Sequence, residues 1–172
     1  MVATMLRRTR LLPGLVAVAG FGAIVVALVA QYGFGLRPCV LCLTQRVPFA
    51  LAGLMGLAAL LLPLAERGRR TLVTLAGLAF LINSGIAVVH VGVERHWWAS
   101  PVCGASAAPM PRTVAEMVAQ AAKPAEVSCD KPAWQWHGVT MATVNVFYSG
   151  GLALLVLLLT RRATGFGRRE RR

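Results

Sequence analysis

The stretch that decides the fold runs from Val47 to Val93 and reads VPFALAGLMGLAALLLPLA, then ERGRR, then TLVTLAGLAFLINSGIAVVHVGV. The two apolar runs, residues 47–65 and 71–93, contain no Asp, Glu, Lys or Arg, and the short segment between them is basic. A helix needs about 20 apolar residues to cross the hydrocarbon core of a bilayer, and irregular backbone cannot face lipid. The stretch therefore predicts two antiparallel membrane-spanning helices joined by a tight turn.

Two further charge-free stretches, residues 11–36 and 132–160, are also long enough to span a membrane. Apolar residues make up 57% of the 172-residue chain and charged residues only 14%. We therefore predict an all-α membrane protein that forms a four-transmembrane-helix bundle within one membrane domain, residues 1–172. The predicted spans are about 11–32, 47–65, 71–91 and 139–160, and the predicted outer loops are about 33–46 and 92–138.

The charge distribution predicts which ends face the cytoplasm. The net charge is +12, which in a soluble protein would indicate a nucleic-acid partner, but here the arginines lie at the ends of the spans. With both termini inside, the inner segments carry twelve arginines and two glutamates, whereas the outer loops carry six basic and four acidic residues. The positive-inside rule then predicts a bacterial inner-membrane protein with cytoplasmic termini and periplasmic loops. The expected partner at this level is the lipid bilayer, and no nucleic acid is expected.

The four cysteines support the same topology by an independent argument. Cys39 and Cys42 fall in the first outer loop, and Cys103 and Cys129 fall in the second. The periplasm tolerates disulfides and the cytosol does not. Cysteine placement and arginine placement therefore agree on which side the loops lie.

The first pair forms the motif Cys39-Val-Leu-Cys42. Two cysteines at this spacing close a small, strained ring that is easily reduced and whose thiols can have lowered pKa values. Pro48 suits the first turn of a helix, so we expect the second helix to begin near Arg46. The positive end of that helix and the Arg46 charge would stabilise a Cys42 thiolate.

Two other interpretations of the cysteines compete with a redox role. A CxxC can be half of a zinc site, but the chain has no second CxxC and no HxxxH, so no metal is expected. Two static structural disulfides would explain the even count and the outer location. They would not explain a three-residue ring, because such a ring adds little loop-closure stabilisation.

The second pair, Cys103 and Cys129, lies in a long proline-containing loop. The simplest circuit is a relay in which a soluble dithiol reduces Cys103–Cys129 and that pair reduces Cys39–Cys42. The electrons must then leave two at a time, and a membrane quinone accepts two electrons at the depth of the CxxC. The sequence Thr113-Val-Ala-Glu116 predicts a short helix in the same loop through a capping box. That helix lies either on the membrane surface or against the protein itself.

Polar residues within the spans and the basic tail complete the expectations. Asn83 and Asn145 are expected to form interhelical hydrogen bonds. The Arg-rich tail after Thr160 is expected to be disordered.

Taken together, these elements resemble the disulfide bond formation protein B (DsbB) family over nearly the whole chain. The residues that carry the resemblance are Pro38-Cys39-Val-Leu-Cys42, Gln45-Arg46, His90 at 13 residues before Cys103, then Cys103, Cys129 and Trp134. Many family members have an acidic residue where this chain has Gln45. The resemblance implies a thiol oxidase that reoxidises a periplasmic thioredoxin-fold, DsbA-like disulfide donor and reduces a quinone, either ubiquinone or menaquinone.

The resemblance also implies roles for single residues. Cys103 would take the attack of the soluble dithiol, and Cys129 would then attack Cys39, which would release Cys42 as a thiolate facing the quinone. Arg46 would bind the quinone ring and stabilise its developing negative charge, and His90 would be a secondary quinone contact.

Two rival functions stay open on the sequence. A quinone oxidoreductase similar to vitamin K epoxide reductase would also be a four-helix membrane bundle with loop cysteines, but its CxxC lies near the last span. A tetraspan scaffold protein with static disulfides would not be an enzyme. Redox lability of the cysteines distinguishes the scaffold from the oxidases.

Overall fold

The computed structural model describes residues 2–100, 103, 112–121 and 127–169. Helix α1 (Val2–Leu28) continues into a π-helical turn (Val29–Gly33) and is followed by α2 (Val40–Leu61) and α3 (Glu66–Glu94). The rest of the described chain contains α4 (Val114–Ala121), the strands β1 (Gln135–Trp136) and β2 (Val139–Thr140), and α5 (Met141–Arg169). Four segments are long and apolar enough to cross a membrane, namely Arg10–Gly33, Val40–Leu61, Glu66–Glu94 and Met141–Arg161. The predicted four-helix membrane fold is confirmed.

The bundle is held together by close contact between helices that carry small residues. Helix α2 packs between α1 and α3, and α3 packs against α5. A Cβ atom added at Gly56 of α2 would lie 2.6 Å from the backbone nitrogen of Ala17 and 2.9 Å from the carbonyl oxygen of Pro13, both in α1. Lipid tails are as apolar as leucine, so membrane helices associate through this kind of close backbone approach.

Helix α2 begins six residues earlier than expected. Cys39 is its N-cap, and Pro48 lies inside the helix rather than in its first turn. The expectation of a start near Arg46 is wrong because Pro48 is tolerated further along: a proline lacks only one N–H donor, and a neighbouring helix can accommodate the change. The earlier start brings the CxxC motif into the first helical turn.

Helix α5 and the segment before it also depart from the expectations. The helix continues to Arg169, so the expectation of a disordered tail directly after Thr160 is wrong; arginine is a good helix former, and an existing helix extends at little cost. Before α5, strands β1 and β2 pair as an antiparallel hairpin. Its two turn residues, His137 and Gly138, both have positive φ (47° and 82°), as a type I′ turn requires.

The capping box that predicts α4 is confirmed. The backbone N–H of Glu116 donates to Thr113 Oγ1, and the backbone N–H of Thr113 donates to Glu116 Oε2, each at 3.2 Å. The apolar side chains of Val114, Met117 and Val118 are exposed. Exposed apolar residues on a short surface helix favour the membrane-surface alternative over packing against the protein.

Candidate functional site

The CxxC pair forms the first turn of α2. The Cys39 sulfur accepts a hydrogen bond from the backbone N–H of Cys42 at 3.3 Å, which makes Cys39 the side-chain cap of the helix. The two sulfur atoms are free thiols that lie 3.0 Å apart. Cys39 is buried and Cys42 is half-buried. The pair is thus close enough to form a disulfide with a small movement.

This geometry stabilises negative charge on Cys39. The hydrogen bond from the Cys42 thiol is the largest cause that holds the pKa of the Cys39 thiol well below its ordinary value, and contacts with His90 and the Cys42 backbone act in the same direction. Burial opposes the shift but does not cancel it. We expected the helix end to stabilise Cys42. That expectation is wrong because the helix begins at the CxxC itself, so the free N–H groups point at the N-cap sulfur.

The second pair lies against the first. Cys103 and Cys129 form a disulfide, and both are buried in one apolar cluster with Cys39. Leu41 of α2 and Val93 of α3 complete the buried part of this cluster. The structure therefore brings cysteines from both predicted outer loops into contact, although up to 90 residues separate them along the chain.

His90 of α3 lies behind the CxxC pair. Its Nε2 atom is 3.6 Å from the Cys39 sulfur and 3.8 Å from Glu94 Oε1. The Glu94 side chain is only 5% exposed, and its other oxygen accepts a 2.5 Å hydrogen bond from the Thr140 hydroxyl. A buried carboxylate at the end of a membrane helix is costly unless it is paired, so Glu94 is a candidate functional residue.

Sequence reasoning missed Glu94 because it counted this residue among the charges of the second loop. The spacing does carry a signal that could have found it. His90 and Glu94 are four residues apart, and residues at that spacing share one face of a helix. A glutamate at the end of a span, one turn after a histidine, therefore points to a shared site.

A chain of amide and hydroxyl groups runs from His90 into the bundle. Gln45 Nε2 lies 3.4 Å from His90 Nδ1, and Asn145 Nδ2 donates to Gln45 Oε1 at 2.7 Å. The Asn145 carbonyl oxygen accepts from Ser149 Oγ at 2.7 Å and from Asn83 Nδ2 at 3.3 Å. The expected interhelical hydrogen bonds of Asn83 and Asn145 are confirmed.

A cavity of about 480 Å³ opens beside these residues within the bundle. Cys42, Arg46 and His90 line it together, and its remaining surface is mainly apolar. The apolar lining comes largely from α1 with the π-helical turn after it, from α2 and from α5: Gly22, Ala23, Val26, Ala27, Ala30, Phe49, Met141, Ala142, Val144 and Tyr148. Trp134, from the segment before β1, also contributes. The volume lies in the range of pockets that bind small molecules.

Arg46, whose side chain lines this cavity, has one buried donor without a partner in the described part of the chain. Its Nη2 donates to Gln31 Oε1 at 2.7 Å, whereas its buried Nε has no hydrogen-bond partner within the described residues. A buried N–H without a partner costs free energy, so an acceptor atom from a bound molecule would be stabilised here.

Comparison with known proteins identifies the family. The sequence profile of the family described as Disulfide bond formation protein DsbB matches residues 9–159. A Disulfide bond formation protein B of Xanthomonas campestris pv. campestris (strain 8004) is 33% identical over 153 residues, which cover 87% of this chain and 88% of the relative. The protein of that name from Xylella fastidiosa (strain Temecula1 / ATCC 700964) is 31% identical over 146 residues, 83% of this chain and 84% of the relative.

The chain belongs to the DsbB family. It is therefore an oxidoreductase that forms disulfide bonds, and its four apolar helices and its family indicate a multi-pass protein of the inner membrane. No solved structure matches it.

The thiol geometry of this DsbB family member does not fit a metal ion. Within the described ranges, Cys39, Cys42 and His90 are one group whose ligand atoms all lie within 4.8 Å of one another. Two thiolates bound to one tetrahedral zinc at about 2.3 Å would have sulfurs about 3.8 Å apart. The observed separation of 3.0 Å fits a hydrogen-bonded thiol pair instead, and we assign no metal to these residues.

Contacts at the C-terminal end of α3 hold the Cys129 segment of this DsbB family member against the bundle. Arg95 Nη2 donates to the carbonyl oxygen of Gly138 at 2.9 Å. His96 Nε2 lies 3.8 Å from Asp130 Oδ2. The Ser128 hydroxyl donates to the Asp130 carboxylate and is the largest cause of the lowered pKa of Asp130. These contacts keep Cys129 beside Cys39.

Proposed function

We propose that this chain reoxidises a periplasmic thioredoxin-fold disulfide donor of the DsbA kind and passes the electrons through its two cysteine pairs to a membrane quinone. The observation that carries the proposal is one buried cluster that contains Cys39, Cys103 and Cys129, with Cys42 facing a mainly apolar cavity. The disulfide-forming activity follows from the family. The donor, the quinone and the roles of single residues are the proposal.

The arrangement of sulfurs supports a two-step exchange between the pairs. With Cys103–Cys129 reduced by the donor and Cys39–Cys42 oxidised, the Cys129 thiolate attacks the Cys39 sulfur, a Cys129–Cys39 disulfide forms, and Cys42 leaves as a thiolate. Cys103 then attacks Cys129, the Cys103–Cys129 disulfide re-forms, and Cys39 leaves as a thiolate. Two electrons have moved from one pair to the other. The described state, with Cys103–Cys129 closed and two free thiols at the CxxC, corresponds to the product of this exchange.

The lowered pKa of Cys39 assists the second step. A thiol with a lower pKa leaves faster in disulfide exchange. Once Cys42 has taken up the proton that Cys103 loses when it attacks, the Cys42 thiol, the Cys42 N–H and His90 all stabilise the Cys39 anion. The exchange is therefore favoured in the direction that reduces the CxxC pair.

The residues around the cavity fit a quinone as the electron acceptor. A quinone, when bound, accepts two electrons and two protons and so matches the oxidation of one dithiol. The buried Arg46 Nε lacks a partner and would donate to a quinone carbonyl oxygen, and its charge would stabilise negative charge that develops on the ring. Cys42 and His90 line the same cavity, so His90 would be a secondary contact. The apolar wall from α1, α2 and α5 would hold the ring and exclude water.

Access to the second pair supports Cys103 as the atom that the soluble donor attacks. Cys103 is 8% exposed and Cys129 is 1% exposed. The less buried cysteine is the easier target for another protein, and Cys129 remains available for exchange with Cys39. We propose that the loops face the periplasm and both termini the cytoplasm, as the arginine distribution predicts, and that residues 1–172 act as one membrane domain.

The two rival functions are less well supported. Membership of the DsbB family argues against a scaffold with static disulfides, and the two free thiols at 3.0 Å are an unusual feature for a purely structural pair. The vitamin K epoxide reductase-like alternative expects the CxxC near the last span, but here it forms the start of α2.

The deciding experiment is a quinone-reduction assay with the purified protein in detergent or vesicles. A reduced thioredoxin-fold protein is the electron donor, and ubiquinone and menaquinone are tested separately. We expect quinone reduction in step with donor oxidation, and loss of turnover on serine substitution of any of the four cysteines. Both disulfides surviving mild reductant with no quinone consumed would refute the proposal.

A further inference from the structure

The amide groups behind His90 are all oriented in one direction. The Asn145 carbonyl oxygen receives two hydrogen bonds, from Ser149 and Asn83. Its amide nitrogen therefore faces Gln45 and donates to Gln45 Oε1 at 2.7 Å. With its oxygen held there, Gln45 can present only its NH₂ group to His90, and its nitrogen lies 3.4 Å from His90 Nδ1.

The orientation of Gln45 decides which nitrogen of His90 carries the hydrogen. A neutral imidazole has one N–H and one acceptor nitrogen. Because Nδ1 accepts from Gln45, the hydrogen of the neutral ring is on Nε2. That nitrogen faces the Cys39 sulfur at 3.6 Å and Glu94 Oε1 at 3.8 Å, and both neighbours can accept a hydrogen bond.

We propose that Gln45 and Asn145 are positioning residues that fix His90 as an Nε2–H donor toward the Cys39 sulfur. The inference rests on the proposed function in one respect, since it concerns the sulfur that leaves as a thiolate in the exchange. Within the part of the chain that the structure describes, the two amides bond to His90, Ser149, Asn83 and each other, and not to a sulfur. They act through the imidazole ring, as partners of a histidine fix its tautomer in other sites.

The reversed orientation of the same groups is less favourable. With Asn145 reversed, the two N–H groups of Asn83 would lose their acceptors. In the observed orientation only one acceptor of this group, Asn83 Oδ1, lacks a partner among the described residues. The reversed orientation would also direct the Nε2 lone pair at the Cys39 sulfur and the Glu94 carboxylate. A lone pair there would repel the electron-rich sulfur and the carboxylate oxygen, so both ends of this series of hydrogen bonds favour the same direction.

Several other titratable or charged groups lie around the CxxC pair and its cavity, and a test must hold them fixed. Cys42 and Arg46 face the site from α2, and His90 and Glu94 face it from α3. Arg37 and Lys131 line the same cavity from the two loop segments. Gln45 and Asn145 are uncharged, so a substitution there removes none of these charges. Asn145→Asp adds one carboxylate, and the uncharged Gln45→Met separates the effect of that charge from the effect of the tautomer.

The test uses Asn145→Asp, which keeps the size of the side chain but replaces its donor by an acceptor. Asn83 and Ser149 stabilise the new carboxylate, Gln45 must turn its NH₂ group toward it, and Gln45 Oε1 then faces His90 Nδ1. The hydrogen should move to Nδ1. Ser84→Ala is the matched control, because it removes another hydrogen bond between α3 and α5, from Ser84 Oγ to the Val146 carbonyl oxygen, outside this chain of amides.

The readout is the ¹⁵N chemical shift pair of His90 above pH 8, in protein whose His96 and His137 are replaced by Gln. A second readout is the alkylation rate of Cys39 across pH, with Cys42→Ser and the Cys103–Cys129 disulfide intact, so that Cys39 is the one free thiol. We expect the starting protein and Ser84→Ala to show the Nε2–H tautomer. Asn145→Asp should show the Nδ1–H tautomer, and the midpoint of the pH profile of Cys39 alkylation should rise by about one pH unit, because the Cys39 thiolate loses the Nε2–H donor.

An unchanged tautomer in Asn145→Asp, or an equal change in Ser84→Ala, would overturn the inference. If Asn145→Asp does not fold, Gln45→Met provides the same decision, because it removes the donor to Nδ1 directly and should release the Nε2–H preference. Neither readout needs a quinone. If the unsubstituted protein reduces quinone but the tautomer does not change in Asn145→Asp, only this inference is refuted. If the unsubstituted protein does not reduce quinone, the proposed function is refuted, and the tautomer still tests this inference.

Discussion

Replacing Arg46 by Met tests the proposed quinone contact most directly. Methionine retains an apolar side chain of similar length along α2 and removes the guanidinium group. In the unsubstituted protein, Arg46 Nη2 donates a hydrogen bond to Gln31 Oε1 at 2.7 Å. The buried Arg46 Nε has no partner among the described residues. The substitution therefore removes the donor that is free to bind a ligand, together with its charge.

The size of the effect follows from the kind of bond that is lost. A hydrogen bond from a charged donor contributes about 1.5 to 3 kcal/mol. Each 1.4 kcal/mol corresponds to about a tenfold change in a binding constant, so the quinone Kd should rise by about 10- to 150-fold. The exchange between the two cysteine pairs should be unaffected, because Arg46 lies on the cavity side of the CxxC and takes no part in the sulfur cluster.

Two measurements separate these effects. Quinone binding is followed by quenching of tryptophan fluorescence, since Trp134 lines the cavity. Thiol exchange is followed by trapping the free thiols after mixing with a reduced thioredoxin-fold protein without quinone. Gln31→Leu is the control, because it removes the partner of Arg46 Nη2 and leaves Nε free. The quinone Kd of this control should stay within about threefold of the Kd of the unsubstituted protein, which is less than the change expected when one charged hydrogen bond is lost. A Kd for Arg46→Met within the same limit would refute the assignment of Arg46.

Three further predictions follow from the geometry. Cys42→Ser should abolish quinone reduction yet leave Cys103–Cys129 able to trap the donor as a mixed disulfide on a non-reducing gel; turnover at the starting rate would contradict the role of Cys42. Alkylation of Cys39 should persist as pH falls from 9 toward 7, because its lowered pKa keeps the thiolate present. The alkylation of an ordinary thiol slows about tenfold for each pH unit below its pKa. If the pH profile of Cys39 ran parallel to that of an ordinary thiol, the pKa of Cys39 would not be lowered. Gly56→Ala should destabilise the bundle by about 1 to 3 kcal/mol through overpacking, because the added Cβ would lie 2.6 Å from the Ala17 nitrogen. Thermal unfolding measures this loss. Gly22→Ala is the control and should leave thermal unfolding unchanged, because its added Cβ meets nothing within 4 Å.

The sequence predicts the spans well because the bilayer imposes a simple rule. A run of about 20 residues without charge has few alternatives to a membrane helix. Local rules also predict the capping box at Thr113 and Glu116. They fail at Pro48, where the preference of proline for a first turn suggested a late start for α2, although tertiary contacts support an earlier one. They also miss the hairpin before α5, whose turn residues His137 and Gly138 carry only a weak local signal.

The candidate site is harder to predict, because its parts come from different helices. Spacing and resemblance point to Cys39, Arg46 and His90 one at a time. Glu94 has a helical spacing from His90 that can be found in the sequence, but its burial cannot. The contacts of Gln45 with His90 and Asn145 join α2, α3 and α5, and no spacing rule along the chain relates these three residues.

The sequence by itself determined the number of membrane helices, the separation of charge between the two faces, and the presence of two cysteine pairs, since each depends only on which residues follow one another. The tertiary structure alone decided which sulfur is stabilised as a thiolate, that the two pairs meet in one buried cluster, and which direction the hydrogen bonds behind His90 take. These properties depend on distances of about 3 to 4 Å between groups on separate helices, and hydrogen bonds act only at such range. They arise only when the bundle has packed.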